Sequence, residues 1–151
     1  MIVDTSALVA IVRQEPDAQA YADLIAGAPV VRLSAASLLE VSVVVDGSRN
    51  ATLSGVLDAM LAAPSIVIEP FTERQAMIAR EAYRRFGKGS GHPARLNMGD
   101  CFAYALARDL GEPLLFKGDD FGLTDIELVT TPLKHKRLSE VVAGYGRVAT
   151  G

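Results

Sequence analysis

Five carboxylates stand where apolar chain would be expected. Asp4 closes the opening run Met1-Ile2-Val3, and Glu40 interrupts Leu38-Leu39 and Val41. Asp100 opens the run Cys101 to Ala107, and Asp119-Asp120 closely follow Leu114-Leu115-Phe116. Acids beside such segments are liable to partial burial, and burying a carboxylate without a partner is costly. Only the Asp119-Asp120 pair has a cationic side chain close by in sequence, Lys117. Two carboxylates about 4 Å apart repel by roughly 4 kcal/mol at an effective dielectric near 20. A converging set therefore needs protonation or a cation. All-oxygen ligands select hard ions, so Mg2+ is expected, with Mn2+ as the variant. Zinc is disfavoured, because Cys101 and the widely separated His92 and His135 make no recognisable ligand set.

Singly, each acid has a plainer reading. Asp100 could be a first-turn helix charge, Asp119/Asp120 turn formers, and Glu40 an exposed helix residue. These readings work badly for Asp4 at a buried strand end, and jointly they leave the common placement unexplained.

The elements that must position the acids follow from hydrophobic period and punctuation. Strands are expected at Met1–Val3, Val30–Leu33, Ser65–Glu69 and Leu114–Phe116, with a fifth at Ile126–Val129. Helices are expected over Ser6–Arg13, Asp17–Ala26, Ser34 to Val45, Ala51–Ala62, Thr72 to Phe86 and Met98–Leu110. Ser34 and Asn97 serve as caps, and Thr72 with Gln75 as a capping box. The buried stripe of the Thr72 helix reads as Ala76, Ala79, Tyr83 and Phe86. That of the Asn97 helix reads as Met98, Cys101, Phe102, Ala105 and Leu106, leaving Asp100 above the small Ala103 and Ala107. Lys88–Leu96 reads as a flexible loop. Alternating strands and helices indicate an α/β fold with a mainly parallel sheet of four to five strands. Ligands in such sheets bind beyond the strands' C-terminal ends, where Asp4 and Asp119 fall.

At 151 residues the chain reads as one domain over 1–151, with 50% hydrophobic and 22% charged residues giving ample core. No apolar run is long enough for a membrane span, and no basic segment precedes the first apolar stretch, so a signal peptide is not expected. The single Cys101 excludes an internal disulfide and fits a cytoplasmic location. Net charge is −3, but its distribution matters more than its sum. Residues 1–79 are predominantly acidic, whereas 80–95 carry Arg80, Arg84, Arg85, Lys88 and Arg95 against Glu81 alone. A second basic knot is Lys134-His135-Lys136-Arg137. Either these are solvated surfaces, or an acidic pocket lies beside a basic rim suited to a phosphate backbone, with Arg84, Arg85, Lys88 and Arg95 as the candidates to contact it.

The ordered set Met-Ile-Val-Asp4-Thr5-Ser6-Ala7-Leu8, Ser37-x-x-Glu40, Gly87-Lys88-Gly89, His92-Pro93, Leu96-Asn97-x-Gly99-Asp100-Cys101-Phe102-Ala103-Tyr104-Ala105 and Leu114-Leu115-Phe116-Lys117-Gly118-Asp119-Asp120-Phe121 resembles the PIN-domain family. More narrowly it resembles the VapC-type toxins of toxin–antitoxin pairs. The likeness spans residues 1 to about 130 and leaves 131–151 as an extension. It implies a PIN-like three-layer α/β/α fold and a metal-dependent ribonuclease, neutralised by an antitoxin protein and usually homodimeric. It also implies the acidic quartet Asp4, Glu40, Asp100 and Asp119, with Asp4 and Asp100 as metal ligands, Ser6 as a minor contributor, and Asp120 open as a substitute for Asp119. Metal-assisted hydrolysis fits these residue types, whereas His92 and His135 are too dispersed for histidine acid–base cleavage. Cys101 reads as core filling. Competing expectations are a PIN module that only binds, an Asp-x-Asp phosphatase (Ser6 occupies the second position), and a receiver-like domain, for which Lys117 after Phe116 is the one supporting feature.

Overall fold

The computed structural model describes residues 1–130. In chain order these form β1 (Ile2–Val3), α1 (Thr5–Val12), α2 (Ala18–Gly27), β2 (Val31–Ser34), α3 (Ala35–Asp46), α4 (Ala51–Leu61), β3 (Ile66–Glu69), α5 (Glu73–Phe86), α6 (Met98–Leu110) and β4 (Leu114–Leu115), followed by a 3-10 turn at Asp120–Leu123. The Lys134–Arg137 knot, His135 and the expected extension at 131–151 lie outside the described residues.

The four strands pair in parallel, in the order β3-β2-β1-β4. The expected fifth strand is reduced to one bridge, Leu114 with Leu128, closed by Leu114 N–H donating to Glu127 and Val129 N–H to Leu114. Side chains alternate across the sheet. Ile2 and Leu114 enter one core cluster with Ala79, Ala82, Phe86 and Leu106 of α5 and α6. Val3, Val31, Leu33 and Leu115 enter another with residues of α1 to α4. Two apolar faces covered by helices make three layers, as expected for an all-parallel sheet.

Local chemistry ends and starts the helices where the sequence says. Ser34 accepts from the Ala36 N–H, Asn50 from Thr52 and Leu53, and Gly111 terminates α6 in the left-handed region at φ 65°. Three expectations change. The buried line of α5 is Gln75, Ala79, Ala82 and Phe86, not one through Tyr83, which is 45% exposed. The stripe is rotated because small Ala82, rather than the bulky ring, occupies the buried face. Met98, on the first turn of α6 beyond its neighbours, is 70% exposed rather than core. Thr72 caps α5 by accepting from the Gln75 N–H, but the Gln75 amide donates to Asp109 of α6 at 3.2 Å instead of returning to the cap. Half the capping box has been traded for a link between helices.

The 88–96 loop is pinned rather than loose. Leu96 N–H donates to Phe86, Lys88 N–H donates to Leu96, and Ala94 and Leu96 are fully buried. Helix α6 is the internal pillar of the fold, with Cys101 and Ala103–Ala107 all buried. Emptying one of its sites with Leu106→Ala should cost about 2–5 kcal/mol and lower the thermal melting midpoint. An unchanged midpoint would mean that α6 is not seated as described.

Candidate active site

Because the strands are parallel, their C-terminal ends share one edge, and the first turn of each following helix lies there too. Asp4 leaves β1 at this edge and caps α1. Its Oδ2 accepts from the Ser6 N–H at 2.9 Å and the Ser6 hydroxyl at 2.5 Å. Ser6 Oγ in turn accepts from the Lys117 N–H at 2.9 Å, which ties Asp4 to the end of β4. Asp100 sits on the first turn of α6 in a reciprocal capping box. Its Oδ2 accepts from the Asn97 N–H at 2.7 Å while Asn97 Oδ1 accepts from the Asp100 N–H at 3.0 Å. Glu40 comes from α3, and its Oε2 accepts from the Thr5 hydroxyl at 3.0 Å.

The three acids feel one another. Burial pushes the Asp4 carboxyl up to about 6, opposed by the Ser6 hydrogen bonds and reinforced by Glu40. Burial and the charge of Asp100 raise Glu40, opposed by Thr5. Burial raises Asp100 to about 6, opposed by its Asn97 hydrogen bond, with Asp4 and Asp120 adding repulsion and Lys88 relieving some of it. Among the described residues none of the three has a salt-bridge partner. Lys117, the cation nearest in sequence, directs its ammonium to Glu15 and, at 2.6 Å, to Asp17. That removes the one feature favouring a receiver-like site, where a lysine would face the aspartate.

A fourth acid is contributed by the turn after β4. Gly118, at φ +109°, supplies a left-handed residue that reverses the chain there. Asp119 and Asp120 are both exposed, and Asp120 is the one whose charge weighs on Asp100. Asp119 caps the 3-10 turn without a side-chain hydrogen bond.

The donor set suits a hard cation. All the groups are carboxylate oxygens, the close hydrogen bonds fall on one oxygen of each acid, and Lys88 acts on Asp100 from a distance without forming a salt bridge among the described residues. The buried Ser37 hydroxyl, one turn before Glu40, has no hydrogen-bond partner among the described residues. Among the described residues no group of three or more His, Cys, Asp or Glu side chains is placed to hold a metal ion. Mg2+ keeps several waters and takes one or two carboxylates, so its binding does not require a complete protein cage.

The basic candidates separate. Lys88 is exposed and close enough to Asp100 to lower its pKa. Arg84 is exposed, with only a 3.9 Å contact to Glu81, and Arg95 is exposed at φ +52°. Arg85 is engaged, bound to Asp125 at 3.0 Å and stacked 4.5 Å over the Phe86 ring. His92 is half-buried against Phe86, with its Nδ1 accepting from the Ala94 N–H, so it stiffens the loop rather than standing free. Cys101 is buried and its thiol is pushed up to about 12, which removes a thiolate nucleophile at neutral pH. Sequence reasoning passed over Thr5 and Gly99. A Cβ built on Gly99 would stand 2.5 Å from the Glu40 carboxyl carbon.

Residues 1–127 match the PIN domain family. This chain is a PIN domain. It is 58% identical to ribonuclease VapC28 of Mycobacterium tuberculosis over 127 residues, 84% of this chain and 96% of that protein, which places the PIN domain in the VapC branch. Among solved structures it resembles M. tuberculosis VapC20, described as a sarcin–ricin loop cleaving toxin, with TM-score 0.70 and 21% identity over 87% of this chain and 98% of that one. It also resembles VapBC2 of Rickettsia felis, described as bound to a promoter DNA fragment, with TM-score 0.68 and 18% identity over 86% and 97%. At such identities the structures speak for the fold, and they agree with the three-layer arrangement.

The raised acids give the PIN domain a definite pH signature. The Asp4 carboxyl titrates near 6 in the fold against 3.8 ordinarily. Its contribution to stability is therefore fully present below about 3.8 and lost as pH rises through 6, on the order of 2–3 kcal/mol by neutral pH. Metal-free Asp4→Asn protein should melt several degrees above the parent at pH 7.5, the gap narrowing as pH falls towards 4. Equal midpoints at both pH values would contradict an uncompensated buried carboxylate.

Proposed function

We propose that this PIN domain is a metal-dependent endoribonuclease, the toxin of a toxin–antitoxin pair acting in the cytoplasm. The observation that carries the reading is the trio Asp4, Glu40 and Asp100, brought from three elements to one edge with raised pKa values and no salt bridge among the described residues. The naming of its relatives as VapC ribonucleases and the VapBC complex among its fold neighbours support the RNA substrate and the antitoxin partner.

Mg2+ or Mn2+, when bound, would supply an activated water and positive charge against the phosphate in the transition state. Asp4 and Asp100 are the residues to hold it. Ser6 keeps Asp4 Oδ2 directed along the α1 cap, and the Asn97 N–H keeps Asp100 Oδ2 turned back on its own helix. Glu40 adds negative charge at the same edge, and Asp120, rather than Asp119, is the better placed fourth acid. Lys88, exposed beside Asp100, offers the nearest attraction for a phosphodiester backbone, with Arg84 and Arg95 extending it. Among the described residues no helix is long and apolar enough to cross a membrane.

Purified protein should cleave RNA with Mg2+ or Mn2+, leaving 5′-phosphate and 3′-hydroxyl ends, and EDTA should abolish cleavage. Asp4→Asn and Asp100→Asn should each lower the rate roughly a hundredfold or more and relieve growth inhibition in cells, with Asp120→Asn costing more than Asp119→Asn. Cleavage that survives EDTA would sink the metal mechanism. Charge reversal at Lys88 and at Arg84 should weaken RNA binding and reduce the salt slope by about one each; an unchanged slope would return both to the solvated surface.

A further inference from the structure

We propose that Thr5 and Gly99 are positioning residues that together seat the Glu40 carboxylate in the acidic cluster. Each is the sequence neighbour of an acid expected to hold the ion: Thr5 follows Asp4, and Gly99 precedes Asp100. The inference rests on the metal reading above and deepens it by assigning how the third acid is held.

A glutamate in the middle of a helix has three free torsions, and ordering them carries an entropic cost. Repulsion from Asp100 also favours swinging the Glu40 carboxylate out to solvent. Two contacts oppose that. From α1, the buried Thr5 hydroxyl donates to Glu40 Oε2 at 3.0 Å and lies 3.5 Å from the Ser37 carbonyl on the preceding turn of α3. From α6, Gly99 provides the space itself, since any side chain there would overlap the carboxylate. Backbone strain does not explain the glycine, because Gly99 is not among the positive-φ residues and lies in ordinary helix. Glycine in a helix is normally a loss relative to alanine, so the missing side chain has its value in what it admits. Because Thr5 and Gly99 are bonded to Asp4 and Asp100, each contact that holds Glu40 is one residue from an acid expected to hold the ion.

The test is metal binding to the full chain, read by calorimetry with Mn2+ alone, beside thermal melting. Gly99→Ala should leave the metal-free melting midpoint unchanged or raise it, through better helix propensity, while weakening Mn2+ binding about tenfold or more. Thr5→Val should weaken Mn2+ binding similarly, and Thr5→Ser should restore it by returning the hydroxyl. In a Glu40→Ala background both Gly99→Ala and Thr5→Val should have no further effect on Mn2+ affinity, because they act only through Glu40. Mn2+ binding indifferent to Gly99→Ala, or weakened by the same factor when Glu40 is already absent, overturns the seat alone. A parent protein that binds no Mn2+ overturns the metal reading and the seat with it.

Discussion

Asp4 is a carboxylate at 3% exposure with no lysine or arginine paired to it among the described residues, and the rest of the site is arranged around that cost. Hydrogen bonds from Ser6 favour the ionised form, yet burial outweighs them, and Glu40 adds to the imbalance. The protein has cations close by and uses them elsewhere. Lys117 ties the end of β4 to Glu15 and Asp17, Arg85 holds Asp125, and Arg74 holds Asp109. Arg32 joins Glu69 and Glu112, the latter also bound to the amino terminus of Met1. These pairs brace the frame and leave the acidic edge without a salt bridge among the described residues, Lys88 relieving only part of the repulsion at Asp100. Such an arrangement is what a site kept for an external cation requires.

Helix starts do double duty here. The N-terminus of a helix exposes unsatisfied N–H groups and a partial positive charge, so it both needs and favours an acid. Asp4 answers that need for α1, and Asp100 answers it through Asn97 for α6. One oxygen of each is committed to the backbone, which fixes the side-chain torsions before any ligand arrives. Glu40 has no such cap to lean on, since it lies inside α3. Its orientation has to come from neighbouring elements, which explains why its partners, Thr5 and Gly99, are on α1 and α6.

Much of this was legible in the chain because local rules agree with the global fold. The caps Ser34, Thr72 and Asn97, the stop at Gly111 and the strand positions follow from period and turn chemistry, and Asp4, Glu40 and Asp100 were visible as acids out of place. What was not legible depended on packing between elements distant in sequence. The face of α5 could not be decided between Ala82 and Tyr83 by period alone, since both lie within a turn of Ala79. Arg85 looked like a free cation until Asp125 met it from forty residues away. The fifth strand had the right residues but only one bridge, because β4 itself offers just two residues to pair with. Gly99 read as part of a motif, and its reason appears only when α3 is laid against α6.

Strand order explains why the cluster forms where it does. β1 lies between β2 and β4. The chain leaves β1 through α1 and α2 to reach β2 on one face of the sheet, and reaches β4 from α5 and α6 on the other. At the C-terminal ends of β1 and β4 the neighbouring helices therefore diverge to opposite faces, which makes this edge a topological switch point. Asp4 stands there, at the end of β1. Asp100 comes from α6 and Glu40 from α3, and the turn at Gly118 leaves Asp120 near enough for its charge to weigh on Asp100. A parallel sheet of four short strands thus gathers acids separated by more than a hundred residues of sequence, with Asp100 following closely on the pinned 88–96 loop. Asp4 and Asp100 each stand at a hydrogen-bonded helix start, so the place of the cluster follows from strand order and helix starts together.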